Sequence, residues 1–131
     1  RVIRALEIYR VTGRTKTAVD RENAFFDPTY CPYVVGLSWA RETLNRRIDA
    51  RVDRMLSSGL LDETRRLLSD GIFAVNATAA QAIGYKELLS YLRGEESLDE
   101  AVSRLRLATR RYAKRQMTWF RAKEYVKWVE V

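Results

Sequence analysis

The chain has 131 residues and a mass of 15.3 kDa, the size of one ordinary domain or of a piece of a larger one. Hydrophobic residues make up 47% and charged residues 31%, and 24 Lys+Arg against 17 Asp+Glu leave a net charge of +7, so the chain is globular and suited to an anionic partner: nucleic acid, a phosphate ester or an acidic membrane surface. The absence of histidine excludes Ser-His and Cys-His dyads and histidine metal ligands, and the single cysteine, Cys31, excludes an internal disulfide and a thiolate zinc site.

Taken in order, Val2, Ile3, Leu6, Ile8, Tyr9 and Val11 mark one face of a helix over 2–12, stopped by Gly13. The chain opens at Arg1 inside this pattern, with no Met and no signal-peptide features, which reads as a fragment lacking its upstream part. Residues 14–31 are polar, with Asn23, Asp27 and Pro28, and predict a long mobile connection with one short helix near Lys16–Asp20. After Pro32, Tyr33–Trp39 is short, apolar and rich in β-formers and predicts a buried strand. A lone strand needs a sheet to join. Only Val126–Val131 offers a second one, and an upstream part is expected to supply the others.

Ala40–Ser58 is the clearest amphipathic helix, with Leu44, Ile48, Val52, Met55 and Leu56 at helical spacing and Gly59 at its end. Leu60–Asp70 predicts another, with Leu60, Leu61, Leu67 and Leu68 inward and Gly71 as its stop. Residues 72–80 read as a loop, and Tyr85–Arg93 as a helix stopped by Gly94. Ser97 followed by Glu100 is a capping box that opens the longest helix, running to about Ala122. The fold class is mostly α with one or two short strands. No run of roughly 18 apolar residues spans a membrane, and the lone cysteine fits a reducing compartment.

The positive charge is local. Residues 101–123 hold eight bases (Arg104, Arg106, Arg110, Arg111, Lys114, Arg115, Arg121 and Lys123) and no acid, while the rest of the chain carries 16 bases against 17 acids. At about 100° per residue, Ala101, Leu105, Ala108, Tyr112, Gln116 and Trp119 form a stripe. Arg104, Arg111 and Arg115 line one flank of it, and Arg106, Arg110, Lys114 and Arg121 the other. A helix docked by that stripe presents two basic rails. One reading is a solvated face whose Arg stems cover core edges; the other is contact with a phosphate backbone, which needs charge and little sequence specificity. Trp119, Phe120, Tyr125 and Trp128 interleave with the bases. Such rings stack on unpaired bases or cover a core edge; Trp128 reads as core and Trp119 fits either role.

Several strings then occur in a telling order. Ala113-Lys114-Arg115-Gln116-Met117-Thr118-Trp119-Phe120-Arg121 resembles the C-terminal motif of bacterial tRNA dimethylallyltransferases (tRNA isopentenyltransferases). Arg1-Val2-Ile3-Arg4-Ala5-Leu6-Glu7 resembles the end of that family's DPQRIxRALE motif. Arg47 to Leu56 with Gly59-Leu60 resembles its RIDxRVDxML…GL helix pair, and Gln81-Ala82-Ile83-Gly84-Tyr85-Lys86-Glu87-Leu88 its QAIGYKEL element.

The resemblance implies an enzyme that moves a dimethylallyl group from dimethylallyl diphosphate to the exocyclic amine of the adenosine 3′ of the anticodon, in tRNAs reading codons that begin with U. It implies the C-terminal part of an α/β, P-loop nucleotide-kinase-like fold. Residues 1–31 are then the end of a helical tRNA-binding insertion with its return linker, and 32–131 the C-terminal part of the catalytic core. The partners implied are the tRNA anticodon stem-loop and dimethylallyl diphosphate, with no membrane, a cytoplasmic location and a monomeric full-length enzyme. The cofactor implied is Mg²⁺, with ligands outside these residues. The family's P-loop and its general-base Asp are absent from residues 1–131, so the chain by itself is expected to be inactive.

By the same resemblance Arg65 is catalytic and binds the donor's diphosphate, where a guanidinium stabilises the leaving group's growing charge; from the residues alone it reads as a surface Arg paired with Asp62 or Glu63. Three segments match tRNA-contacting elements: Arg1-Val2-Ile3-Arg4, Gln81-Ala82-Ile83-Gly84-Tyr85-Lys86, and Lys114-Arg115-Gln116-Met117-Thr118-Trp119-Phe120-Arg121. The first is otherwise a helix with exposed Arg on its first turn, and the second a helix start with Gly84 as a packing contact. Arg47, Arg51 and Arg54 resemble a lid helix near phosphates, or form a solvated face with Asp49 and Asp53 as neighbours. Two other classes remain open: a basic helical RNA-binding module without catalysis of its own, and a P-loop kinase relative acting on a small nucleotide.

Overall fold

Residues 2–23 and 33–131 are described by the computed structural model, which divides into two compact units, residues 1–33 and 34–131. Arg1 and the stretch 24–32, with Asp27, Pro28, Cys31 and Pro32, lie outside the described residues.

In the first unit α1 spans Val2–Thr12 and α2 spans Lys16–Asn23. Gly13 takes φ 68°, the left-handed conformation that ends a helix without steric penalty, and its N–H donates to Tyr9 O at 2.8 Å. Thr15 starts α2 by accepting from the Ala18 N–H at 3.3 Å. The short helix expected near Lys16–Asp20 is present and three residues longer. No residue of α1 is buried, and Val2, Ile3, Leu6, Tyr9 and Val11 are exposed.

The second unit runs β1 (Val34–Ser38), α3 (Arg41–Ser57), α4 (Leu60–Ser69), α5 (Ile72–Val75), α6 (Ala77–Ala80), α7 (Tyr85–Leu92), α8 (Leu98–Arg121) and β2 (Val126–Glu130). The strands pair in parallel in one register, Val34 beside Val126 through Ser38 beside Glu130, so all six helices form the crossover between them. On one face Val34 and Gly36 meet Val126 and Trp128. Gly36 is where the Trp128 ring lies: a Cβ there would stand 2.7 Å from Cε3 and 2.9 Å from Val126 Cγ1. Trp128 is half-buried, in keeping with the core role expected of it. Val35, Leu37 and Val129 on the other face are exposed.

The core lies between the helices. Ile48 and Val52 of α3, Leu88 and Leu89 of α7, and Ala101 and Leu105 of α8, with Phe73 and Val126, make up the buried apolar set. Thr64 is fully buried without penalty because its hydroxyl donates to Leu60 O at 2.7 Å. Leu60, Leu61, Leu67 and Leu68 are half-buried, on the inward side of α4.

Residues 72–80 correct the loop expectation: they form α5 and α6, one turn each. Gly71, at φ 70°, ends α4 and allows an immediate restart, and the Asn76 side chain caps α6 by accepting from the Ala79 N–H at 3.0 Å. Four-residue helices are too short to show a 3.6-residue period, while Phe73 anchors them in the core.

Candidate functional site

α8 begins as its sequence requires. The Ser97 hydroxyl accepts from the Glu100 N–H at 3.3 Å, and Glu100 Oε2 accepts from the Ser97 N–H at 2.8 Å. The backbone hydrogen bond from Ser97, with its hydroxyl second, holds the Glu100 carboxyl below its ordinary pKa.

The basic helix is not two uniform rails. Arg104 pairs with Glu96 at 2.7 Å, Arg106 with Asp53 at 2.5 Å, and Arg110 with Asp49. The acids lie outside the window in which no acid occurs, two of them on α3. Asp49 and Asp53 thus face α8 rather than serving as neighbours to Arg47 and Arg51. The two pairs to α3 are one helical turn apart on both helices and run in opposite directions along them, which pins α3 and α8 antiparallel. Asp49 Oδ1 and the Nε atoms of Arg106 and Arg110 are buried without a hydrogen-bond partner among the described residues, so this ladder sets register more than it adds stability. The matching i,i+4 spacings, Asp49/Asp53 and Arg106/Arg110, carry that signal in sequence.

The second half of α8 differs. Among the described residues, Arg111, Lys114, Arg115, Arg121 and Lys123 have no carboxylate partner. Burial also stops: Ala101 and Leu105 are buried, but Tyr112 is 46% and Trp119 56% exposed, with Gln116 exposed between them. The apolar stripe is therefore docked only at its start. α7, with 8 residues, covers about 12 Å of a helix of 24 residues and about 36 Å. On the uncovered part Lys123 Nζ sits 4.8 Å from the Trp119 ring centroid, Phe120 meets Trp119 edge-on at 4.7 Å, and the Arg115 guanidinium lies 5.6 Å from the Tyr112 ring. The Thr118 hydroxyl donates to Lys114 O at 3.0 Å and Met117 is half-buried.

The segment 81–86 leads into α7. Gln81, Ala82, Ile83 and Lys86 are exposed, while Gly84 is buried at φ 112°, which a side chain would strain. The Gly84 N–H donates to Glu87 Oε2 at 2.9 Å, and Glu87 is itself buried. The Tyr85 hydroxyl donates to Glu63 Oε1 at 2.7 Å, and its ring meets Phe73 at 5.4 Å. The hydrogen bond to the Glu63 carboxylate, with burial second, raises the Tyr85 pKa. Glu63, Glu87 and Phe73 are the supporting residues that pattern reading missed; only Glu87, three residues after Gly84, had a local signal.

Arg65 stands exposed on α4, its Nη1 2.6 Å from Asp62 Oδ1. This is the surface pairing that the residues alone suggested, and the contact leaves the guanidinium in solvent. Through Glu63 and Tyr85 the structure joins the Arg65 helix to segment 81–86. No hydrogen bond or ion pair among the described residues links Lys114–Arg121 to either. In the first unit Arg4 pairs with Glu7 at 3.1 Å, and Val2 and Ile3 are exposed. Arg47 lies 4.1 Å over the Trp39 ring and the Arg54 Nε donates to Ala50 O at 3.3 Å.

Among the described residues no three His, Cys, Asp or Glu gather so as to hold a metal ion. No helix among them is long and apolar enough to cross a membrane.

Comparison with known proteins agrees with the strings. The profile of the IPP transferase family matches residues 1–123. tRNA dimethylallyltransferase 1 of Citrifermentans bemidjiense is 48% identical over 130 residues, which are 99% of this chain and 42% of that protein. The tRNA dimethylallyltransferase of Geobacter metallireducens is 45% identical over the same share of each. A solved tRNA isopentenylpyrophosphate transferase of Staphylococcus epidermidis superposes with a TM-score of 0.75 at 40% identity, covering 98% of this chain and 42% of that one. The chain thus spans well under half the length of the relatives it matches, and across that span sequence, profile and fold agree: it belongs to the IPP transferase family.

Proposed function

We propose that the chain is the C-terminal part of a tRNA dimethylallyltransferase, which transfers a dimethylallyl group from dimethylallyl diphosphate to the exocyclic amine of the adenosine 3′ of the anticodon in tRNAs reading U-starting codons. The observation that carries the tRNA side is the second half of α8. Its four cations and the adjoining Lys123, without a carboxylate partner among the described residues, and its open aromatic rings fall in and beside the string Lys114–Arg121. Phosphates recruit such cations, and unpaired bases of a loop suit such rings. Gln81–Lys86 and Arg1–Arg4 form the other tRNA contacts of this reading.

Arg65 serves the donor. As the C–O bond of the donor breaks, the diphosphate takes the bonding pair, the adenine nitrogen forms the new C–N bond, and a proton leaves that nitrogen. A planar guanidinium binds two diphosphate oxygens as their charge grows. Exposed pairing with Asp62 is weak in water, so Arg65 exchanges partners readily. The proton acceptor and the ligands of the Mg²⁺ that goes with this reading come from outside these residues. A cytoplasmic, monomeric enzyme goes with it too.

The test is transfer of labelled dimethylallyl to an unmodified anticodon stem-loop by the full gene product. Arg65→Ala is expected to raise the transition-state barrier by about 2–4 kcal/mol and to weaken donor binding, with Arg65→Lys recovering only part because it lacks the planar fork. Wild-type kinetics in the alanine variant would remove Arg65 from the diphosphate. RNA binding with no transfer would leave a binding module instead.

A further inference from the structure

Three separate restraints converge on one short exposed segment. Gly84 is fixed through its N–H by the buried carboxylate of Glu87, the Tyr85 ring is fixed against Phe73, and the Tyr85 hydroxyl is fixed by Glu63. The first restraint lies within α7 and its cap, the second comes from α5, and the third from α4, 22 positions away. Glu63 is exposed and Tyr85 half-buried. A hydrogen bond so placed contributes little to the stability of the fold, yet it selects one orientation of Tyr85 and of the backbone beside it.

We propose that Glu63 is a positioning residue: through Tyr85 it holds Gln81–Lys86 in the shape that meets tRNA, at a fixed offset from Arg65. The inference rests on the function proposed above. On α4 the carboxylates divide their work, with Asp62 paired to Arg65 and Glu63 to Tyr85. The donor-side guanidinium and the acceptor-side segment are therefore tied to the same helical turn, two residues apart. Ordering the segment before tRNA arrives removes an entropic penalty from binding. The effect belongs to the tRNA term alone, because Glu63 carries no positive charge for the diphosphate.

The experiment is steady-state kinetics of the full gene product with Glu63→Ala, Glu63→Gln, Tyr85→Phe and the Glu63→Ala/Tyr85→Phe double variant. Glu63→Ala and Tyr85→Phe are each expected to raise KM for the anticodon stem-loop about three- to tenfold, with KM for dimethylallyl diphosphate and the melting temperature unchanged. Glu63→Gln keeps a carbonyl acceptor and is expected to restore most of the lost affinity. The double variant should be no worse than either single one, since both break one bond. Additive losses in the double variant, a Gln variant as impaired as Ala, or an unchanged KM in an active enzyme would each overturn the inference. A wild-type protein that transfers nothing to tRNA would overturn the proposed function and this inference together.

Discussion

Glu100 is held by its own helix start, and that makes it a pH-sensitive residue. The hydrogen bonds from the Ser97 N–H and hydroxyl lower its pKa in the folded chain. The stabilisation they give is complete above the ordinary glutamate value of about 4.3 and is lost as pH falls through the lowered one. Glu100→Gln is therefore expected to lower the melting temperature at neutral pH and to flatten the decline in acid; an unchanged acid profile would discount the capping box as its source. Gly36 carries a different constraint. Its φ is ordinary, but a methyl group would stand 2.7 Å from the Trp128 ring. Gly36→Ala is expected to destabilise by about 1–3 kcal/mol through overpacking, read from urea unfolding by far-ultraviolet circular dichroism. The two residues differ in legibility. Ser97 and Glu100 are three positions apart and their pattern is local, whereas Gly36 acquires its meaning from a ring across the sheet, beyond the reach of any local window.

α8 makes the same distinction at the scale of an element. Its start, length and basic character follow from periodicity and charge. Its division into a pinned half and an open half does not, because Arg110 meets Asp49 from 61 positions away. Charge counting treats all eight bases alike, and pairing separates them. This predicts unequal effects on RNA binding. Lys114→Ala/Arg115→Ala should reduce the slope of log affinity against log salt by about 0.7 per contact to single-stranded RNA, or about 0.9 to duplex. Arg106→Ala/Arg110→Ala should leave the slope unchanged, because those charges are already answered by Asp53 and Asp49. Equal slope changes in the two double variants would mean that the ladder opens when RNA binds. α5 and α6 were illegible for another reason: a single turn leaves no room for a period to repeat, and only the capping Asn76 marked a restart. The supports of segment 81–86 were hidden likewise, since Glu63 and Phe73 act from other helices.

In the second unit as a whole, local helical contacts and one distant pairing coexist. α7 and α8 are joined by five residues, 93–97, and pack as neighbours. The strands pair with partners 92 positions apart, as Val34 beside Val126 shows. Contacts of long sequence separation form late because the intervening chain must first be ordered. Pulsed hydrogen exchange during refolding should therefore protect the amides of α7 and α8 before those of β1 and β2; simultaneous protection would indicate that the sheet nucleates the unit. The parallel pairing also matters at the ribosome. At synthesis rates of about 5–20 residues per second, roughly 5–20 s pass between the emergence of β1 and of its partner. During that interval the edge of β1 that β2 will cover has its backbone N–H and C=O groups unpaired. That edge of the nascent sheet waits for a strand that the sequence completes only 92 residues later.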